Sequence, residues 1–502
     1  MSTPTPSSPL VTPGSCSIMG ELPRVPSSLA LSQTSHTGTD FPTDAFMVGS
    51  TLPKEHLHVS NTEMELKTRS IFTEASLNET YTSSLNEDHL NDIELTCCSQ
   101  LRALNLPLPP LRKIPTLLKK LYPPTFPNLP LSAVRVTRAL LDVPHNLPVK
   151  ELDYGMVSGR NCDNCVGYVP VPVGVAGPLR MGVVGEGGVE DKEFMVPLST
   201  TEGGLIASIN RGLKAMRGGE TTVACTADKI TRSPVIEFQN LREAVNFKEY
   251  VESGAEDVRE EFEKGSRFLK LKEVECKVVG RVVYLRLSGE TGEAMGMNMI
   301  SKGSESLLQH LQKSFPFKIL SVSGNYCCDK KPSALNLIKG RGKSITLECT
   351  IPEKTVKEVL KTTSGKMVKL NYYKNSIGSA LAGTVGGNNA HAANVVAAFF
   401  LATGQDPAHV VEGSQCITVM EEVETGLYIS CTLPSVCVGT VGGGTELKAQ
   451  KSMIEYSKAK GARELACVVG GGVMAGEVSL VAALAEGDLV KAHMELNRAK
   501  KC

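Results

Sequence analysis

Gly324-Asn-Tyr-Cys-Cys-Asp-Lys-Lys-Pro332 divides the chain between two kinds of sequence. Pro332 disfavours helical angles at Lys331, so Asp329, Lys330 and Lys331 are expected on an extended or bent backbone. One carboxylate and two adjacent ammonium groups on such a turn suit a negatively charged ligand. A solvated loop is the simpler reading of the same residues, because lysines are mostly exposed. Before the turn, from Pro234 to Ser321, a charged helix-like stretch (Glu249 to Lys264) lies between β-rich runs such as Val278 to Leu287. This is the pattern of a small α+β domain. After the turn come small-residue helices such as Ala390 to Thr403, with glycine-rich turns expected at Gly383 to Gly387, Gly439 to Gly444 and Gly470 to Gly472.

Further upstream, Val183 to Gly188 reads as a hairpin, and Val166 to Val175 as a strand alternating around prolines. Ser199-Thr-Thr-Glu202 has the form of a capping box, opening a helix whose apolar stripe is Leu205, Ile206, Ile209, Leu213 and Met216. A helix is expected near Leu131 to Leu141, after a proline-crowded lead-in. Residues 1 to about 100 are rich in Ser, Thr and Pro and poor in aromatics, so they cannot repay the entropy of folding and are read as a disordered tail or linker.

With 502 residues, 41% of them hydrophobic, the chain exceeds one ordinary domain, and two or three are expected. The 53 basic and 53 acidic residues cancel, so no global field favours nucleic acid, and an anionic ligand needs a local basic site. Fifteen cysteines, an odd number scattered without a secretory signal, argue for reduced thiols in a cytosolic compartment. Asn394 interrupts the apolar run Ala392 to Ala402, and Glu477 the one after Ala466, so no membrane helix is expected.

Two motifs mislead. Gly340-Arg-Gly-Lys-Ser344 ends like a phosphate-binding P-loop, but that motif needs glycine where Leu337 stands. Cys162-Asp-Asn-Cys165 has metal-like spacing without a second pair, and the nine histidines are dispersed, so no metal is expected.

The turn recurs with four other segments, Pro197 to Gly203, Glu293 to Met299, Gly439 to Thr445 and Leu489 to Arg498, in this order, and from about Tyr154 to Lys500 the chain resembles eukaryotic hydroxymethylglutaryl-CoA (HMG-CoA) reductases. The resemblance implies an α+β fold: a disordered tail (1–104), a helical N-terminal domain (105–162), and a large substrate-binding domain with a long central helix (163–232 and 334–498). Into that domain a small ferredoxin-like cofactor domain (233–322) is inserted, joined by a catalytic loop (323–333). It implies NADPH-dependent reduction of HMG-CoA to mevalonate, two NADPH per turnover, and no metal. Lys330 is implied as the cation beside the thioester oxygen, Glu202 as an acid, Asp406 as the carboxylate holding the lysine, and His493 as proton donor to the departing thiolate.

For HMG and CoA the implied contacts are Tyr154, Asn210, Arg211, Lys214, Arg232, Ser323, Lys331, Lys361, Lys374, His391 and Asn394. For the cofactor they are Ser266, Arg267, Glu293, Met295, Gly296, Met297, Asn298, Gly442, Gly443, Gly444, Asn497 and Arg498. Arg267 is the candidate for the 2′-phosphate, and the glycines for close backbone approach. Two positions depart from the family pattern. Glu293 stands where aspartate is usual, putting cofactor affinity in question, and Ala499 stands where many members carry a phosphorylatable serine. The resemblance also implies a homodimer or homotetramer with active sites at subunit boundaries, so that Lys330 and Glu202 can come from different chains. It places the enzyme in the cytoplasm, or on the cytosolic face of the endoplasmic reticulum if a membrane region lies outside this chain. Two other readings stand beside it: a thiolase-like transferase using Cys327 or Cys328, and a silent CoA-binding or interaction protein.

Overall fold

A computed structural model describes residues 129–141, 143, 147–157 and 160–487, all within one compact unit. The tail and the C-terminal residues His493, Asn497 and Arg498 lie outside the described residues, as does most of the lead-in. The first described helix, Leu129–Leu141, covers the expected stretch.

Strands β1 (Val173–Gly185) and β2 (Gly188–Ser199) form the expected hairpin, with Gly185 paired to Gly188. The strand begins at Val173 and not at Val166, because Pro170 and Pro172 remove ladder donors just before it. Strand β3 (Thr221–Arg232) is the hinge of the architecture. Its first part pairs antiparallel with β8 (Gly342–Pro352), and residues 230–232 pair with β6 (Val282–Glu290). One hydrogen-bonded path therefore runs through both halves. From β8 it continues to β11 (Gly426–Val436), β10 (Cys416–Val423) and the two-residue β9 (Gly387–Asn388).

On the other side, β4 (Val235–Glu237), β5 (Lys270–Val279), β6 and β7 (Lys318–Ser321) stand in the order β7-β4-β6-β5, all antiparallel. Helices Leu241–Glu252 and Glu256–Glu263 follow β4, and Met297–Leu311 follows β6, which makes a β-α-β-β-α-β arrangement. The helix expected over Glu249 to Lys264 is broken in two at Gly254, whose φ of 79° no helix accommodates. Phe238, Phe247, Phe262 and Leu285 centre the core of this lobe.

The larger core is organised by Ala462–Ala485, 24 residues long. Two expectations fail here. Gly470 to Gly472 form no turn, but lie inside this helix. A Cβ on Gly471 would stand 2.5 Å from Leu179 Cδ2 and 2.9 Å from Met181 Sδ, so glycine is needed for close packing. The helix is also long and apolar enough to cross a membrane, contrary to the sequence reading, yet 94% of its apolar window is buried in the protein, as in a core helix. Glu477 does not interrupt it. The fully buried carboxylate accepts N–H bonds from Ala390 (2.7 Å) and His391 (2.8 Å), and a hydroxyl bond from Thr418. It thereby caps the helix Ala392–Thr403 from outside, where an anion is favoured by the helix dipole.

Helix Leu205–Met216 crosses the long helix where Gly212 meets Ala475. A Cβ at Gly212 would fall 1.9 Å from the Ala475 carbonyl oxygen. Gly212→Ala is therefore expected to destabilise the fold by at least about 1–3 kcal/mol, the usual cost of overpacking. Gly187→Ala, where an added Cβ meets nothing within 4 Å, serves as control in thermal denaturation.

Candidate active site

The segment between β7 and helix Ala334–Lys339 carries Ser323 to Ser333 and lies against both lobes. Gly324 donates its N–H to the Ser233 carbonyl (2.6 Å), with no room for a side chain beside Val235. Asn325, Cys328 and Lys330 all adopt left-handed φ (63°, 56° and 56°), which costs on the order of 1–3 kcal/mol each unless the surroundings enforce it. The bend thus comes from left-handed residues, Lys330 among them, beyond the extended bias expected from Pro332. Asn336 enforces it by donating its side-chain amide to the carbonyls of Cys328 (3.0 Å) and Lys331 (3.3 Å). Glu412 accepts the Lys330 backbone N–H at 3.3 Å.

Lys330 Nζ lies 2.7 Å from Asp406 Oδ2, joining two residues that are 76 positions apart in the chain. Asp406 sits at the N-cap of the short helix Pro407–His409 and accepts the Ala408 N–H. Burial pushes its carboxyl up, but the Lys330 hydrogen bond, the Ala408 N–H and the His409 charge prevail and hold it below the ordinary value. Beside this pair lies an ionic group centred on the fully buried Arg341 and Glu412. Arg341 contacts Asp329 Oδ1 (2.9 Å), Glu412 Oε1 (2.6 Å) and Thr231 Oγ1 (3.1 Å). Arg232 reaches Asp329 from the other side at 3.6 Å.

His409, Glu412 and Cys437 bring potential ligand atoms within 4.8 Å of one another. The Arg341 guanidinium, 2.6 Å from Glu412 and 3.2 Å from Cys437 Sγ, already supplies the positive charge there. Burial opposes protonation of His409, yet Cys437 and Glu412 outweigh it and raise its pKa to about 10. The sign follows from linkage: a raised histidine stabilises the fold below its ordinary 6.5, and that contribution is lost as pH climbs through about 10. The depressed Asp406 does the reverse, losing its contribution as pH falls below the ordinary 3.8. Thermal midpoints measured from pH 7 to 10 are expected to fall in the native protein and to flatten in His409→Gln.

The segments implied for the cofactor converge on one another. Thr440 donates its N–H to the Glu293 carbonyl (2.8 Å), and Ala294 and Val441 form a parallel bridge. Ser266 Oγ contacts Met299 Sδ at 3.4 Å, and the exposed Arg267 stacks 4.6 Å over Phe268. Gly296 has left-handed φ and no room for a Cβ beside Thr291, and it opens the helix bearing Met297 and Asn298. Met295 and Met297 pack on the small-lobe core. Gly442 and Gly443 are left-handed, with nothing within 4 Å of an added Cβ, which leaves bare backbone. Gly444 packs against Gly404 and so ties this loop to the Asp406 segment, as do the two bonds between Gln405 and Gly439. Glu293 has a further task. Its carboxylate accepts the Ala462 N–H and the Thr440 hydroxyl, both at 2.7 Å, capping the long helix.

The implied substrate residues divide. Asn210, Arg211, Lys214 and Lys361 line one cavity of about 520 Å³, together with Arg217, Glu358 and Val359. Arg211 is held by Ser479 through its hydroxyl (3.0 Å) and carbonyl (2.6 Å). Lys374 is on the π-helix Tyr372–Gly378, outside that lining. His391 and Asn394 meet each other at 3.4 Å at the start of helix Ala392–Thr403. Ser323 and Lys331 belong to the loop, Lys331 bonding the Asp329 carbonyl. Tyr154 is buried, and its hydroxyl is already bonded to the Val149 carbonyl.

Glu202 is exposed, and among the described residues no bond joins its carboxylate to Lys330 or Asp406. The capping box is not formed: the helix starts at Leu205 behind a left-handed Gly204. Sequence reading missed Arg217, Arg341, His409 and Glu412. Only the His409/Glu412 spacing of three offered a signal.

A family model of hydroxymethylglutaryl-coenzyme A reductase matches residues 135–498. The chain belongs to this family. The curated 3-hydroxy-3-methylglutaryl-coenzyme A reductase of Catharanthus roseus is 47% identical over 371 residues, covering 71% of this chain and 60% of the relative. Reductase 1 of Hevea brasiliensis is 47% identical over 383 residues (73% and 64%), and the Ganoderma lucidum enzyme 46% identical over 391 (73% and 31%). The chain thus spans less than two thirds of these relatives. A solved class II reductase from Streptococcus pneumoniae, bound to NADPH in open conformations, aligns with TM-score 0.52 at 19% identity, over 64% of this chain and 87% of that one. That likeness carries the fold, and the plant and fungal relatives place the chain in the eukaryotic class of the HMG-CoA reductase family.

Proposed function

We propose that this chain catalyses the NADPH-dependent four-electron reduction of HMG-CoA to mevalonate and CoA. The observation that carries the reading is the Lys330–Asp406 pair, held at 2.7 Å on a strained loop against both lobes. A thioester carbonyl accepting hydride develops an alkoxide, and Lys330 is the cation to stabilise it, kept in place by an ionised Asp406. The basic cavity around Asn210, Arg211, Lys214 and Lys361 suits CoA phosphates, and Arg232, Ser323 and Lys331 the hydroxymethylglutaryl carboxylate.

NADPH, when bound, supplies the hydride, twice per turnover. Bare backbone at Gly442 and Gly443 and the exposed Arg267 fit a phosphate-bearing dinucleotide, in a ferredoxin-like cofactor lobe inserted into the larger substrate lobe. Glu202 serves as acid, contributed across a homodimer boundary, and His493 as proton donor to the leaving thiolate. The enzyme works in the cytosol or on the cytosolic face of the endoplasmic reticulum. The transferase reading has less support, because Cys327 is fully buried beside Ser323, and Cys328 meets Ser333 and not a histidine. Following NADPH absorbance and free thiol together tests the proposal. Two NADPH consumed per CoA released establish it, whereas thiol release without NADPH loss refutes it.

A further inference from the structure

His409 is fully buried between Asp406 and Glu412, the carboxylates that accept from the Lys330 ammonium and the Lys330 backbone respectively. Its Nδ1 lies 2.7 Å from Glu412 Oε1, 3.4 Å from Arg341 and 3.9 Å from Asp329 Oδ1. The shortest contact fixes the proton: Nδ1–H donates to Glu412, which also accepts from Arg341 and from the Lys330 backbone. That leaves Nε2, a buried atom with no hydrogen-bond partner among the described residues, 3.6 Å from Asp406 Oδ2. A lone pair facing a carboxylate there would be repulsive, and a proton would be attracted. The charges balance on the same assignment. Asp329, Asp406 and Glu412 are matched by Arg341, Lys330 and an imidazolium, with Arg232 at the rim.

Resting on the reading of Lys330 and Asp406 given above, we propose that His409 is a positioning residue, a buried imidazolium that holds Asp406 when Lys330 turns its ammonium to the substrate oxygen. At rest Asp406 is bonded to Lys330. As the substrate oxyanion draws the ammonium away, closing the 3.6 Å gap lets Nε2–H take the vacated oxygen, so the carboxylate is neither left bare nor driven to take up a proton. The upward shift of the His409 pKa, caused by Cys437 and Glu412, agrees with a protonated ring at this place.

His409→Gln keeps a donor for Glu412 and removes the charge. It is expected to lower kcat about tenfold with both KM values within about twofold, and to move the acid limb of the kcat–pH profile up by about one unit. A variant whose kcat and acid limb match those of the native protein overturns the proposal, even if its thermal midpoint drops, since a merely structural histidine would change only the latter. Nitrogen-15 spectra of histidine-labelled native protein give an answer that does not depend on the variant folding. One imidazole of the nine, doubly protonated and untitrated up to pH 8.5, supports the proposal, and nine neutral imidazoles at that pH overturn it. Native protein that leaves HMG-CoA and NADPH unchanged would refute the function reading separately. In that case the spectra still decide the state of His409.

Discussion

Replacing Lys330 by alanine is expected to lower kcat by about 10²–10³-fold, the loss typical of removing one preorganised donor to a developing oxyanion. The side chain is half exposed, so its removal leaves no cavity and the fold should persist with an unchanged circular dichroism spectrum. KM should change little, because the ammonium acts on charge that is present mainly in the transition state. Asp406 reports on the change as well. Burial raises its carboxyl pKa, and the Lys330 bond is the first of the forces that bring it down. In Lys330→Ala the acid limb of residual activity should therefore move to higher pH. Lys330→Arg retains charge, but places a planar fork on a left-handed backbone position built for a single Nζ–Oδ2 contact, so recovery should be incomplete. A loss below about tenfold in Lys330→Ala would remove the lysine from the chemistry.

How much of this was legible in the sequence depends on the range of the physics. Local signals succeeded: the Gly185–Gly188 hairpin, the helix beginning at Leu129 and the apolar face of Leu205–Met216 are set by residues a few positions apart. Signals overridden by tertiary packing failed. Glycine costs about 1 kcal/mol in a helix, so Gly470 to Gly472 suggested a turn, yet the space between Leu179, Met181 and Ile345 admits a helix only without side chains. Glu202 matched a capping pattern, but β2 runs up to Ser199, and the chain needs the turn at Gly203 and Gly204 before a helix can start. The Lys330–Asp406 pair came from resemblance, since no spacing announces a contact across 76 positions. Arg341 was the most concealed residue. Locally it belongs to a broken P-loop motif, and its partners Thr231 and Glu412 lie 110 and 71 positions away.

Arg341→Met tests that concealed layer, and the expected outcome is a loss of about 3–5 kcal/mol of stability, read as a lower urea midpoint or as loss of soluble protein. The guanidinium and the Glu412 carboxylate are both fully buried, and Asp329 is mostly so. Methionine fills much of the space but leaves Glu412 with only His409, the long Cys437 Sγ contact and the Lys330 N–H, and Asp329 with the more distant Arg232. The penalty is that of an uncompensated buried charge, so its signature is non-additivity: Arg341→Met combined with Glu412→Leu should be less destabilised than the sum of the two single changes. Lysine cannot substitute, because one ammonium cannot reach Thr231, Asp329 and Glu412 together in the geometry of the planar fork. The loop should suffer along with the core. Glu412 anchors the Lys330 backbone and Asp329 immediately precedes it, so surviving Arg341→Met protein should also lose activity through a misplaced Lys330. A variant with native stability and reduced activity would instead make Arg341 a device of the site alone.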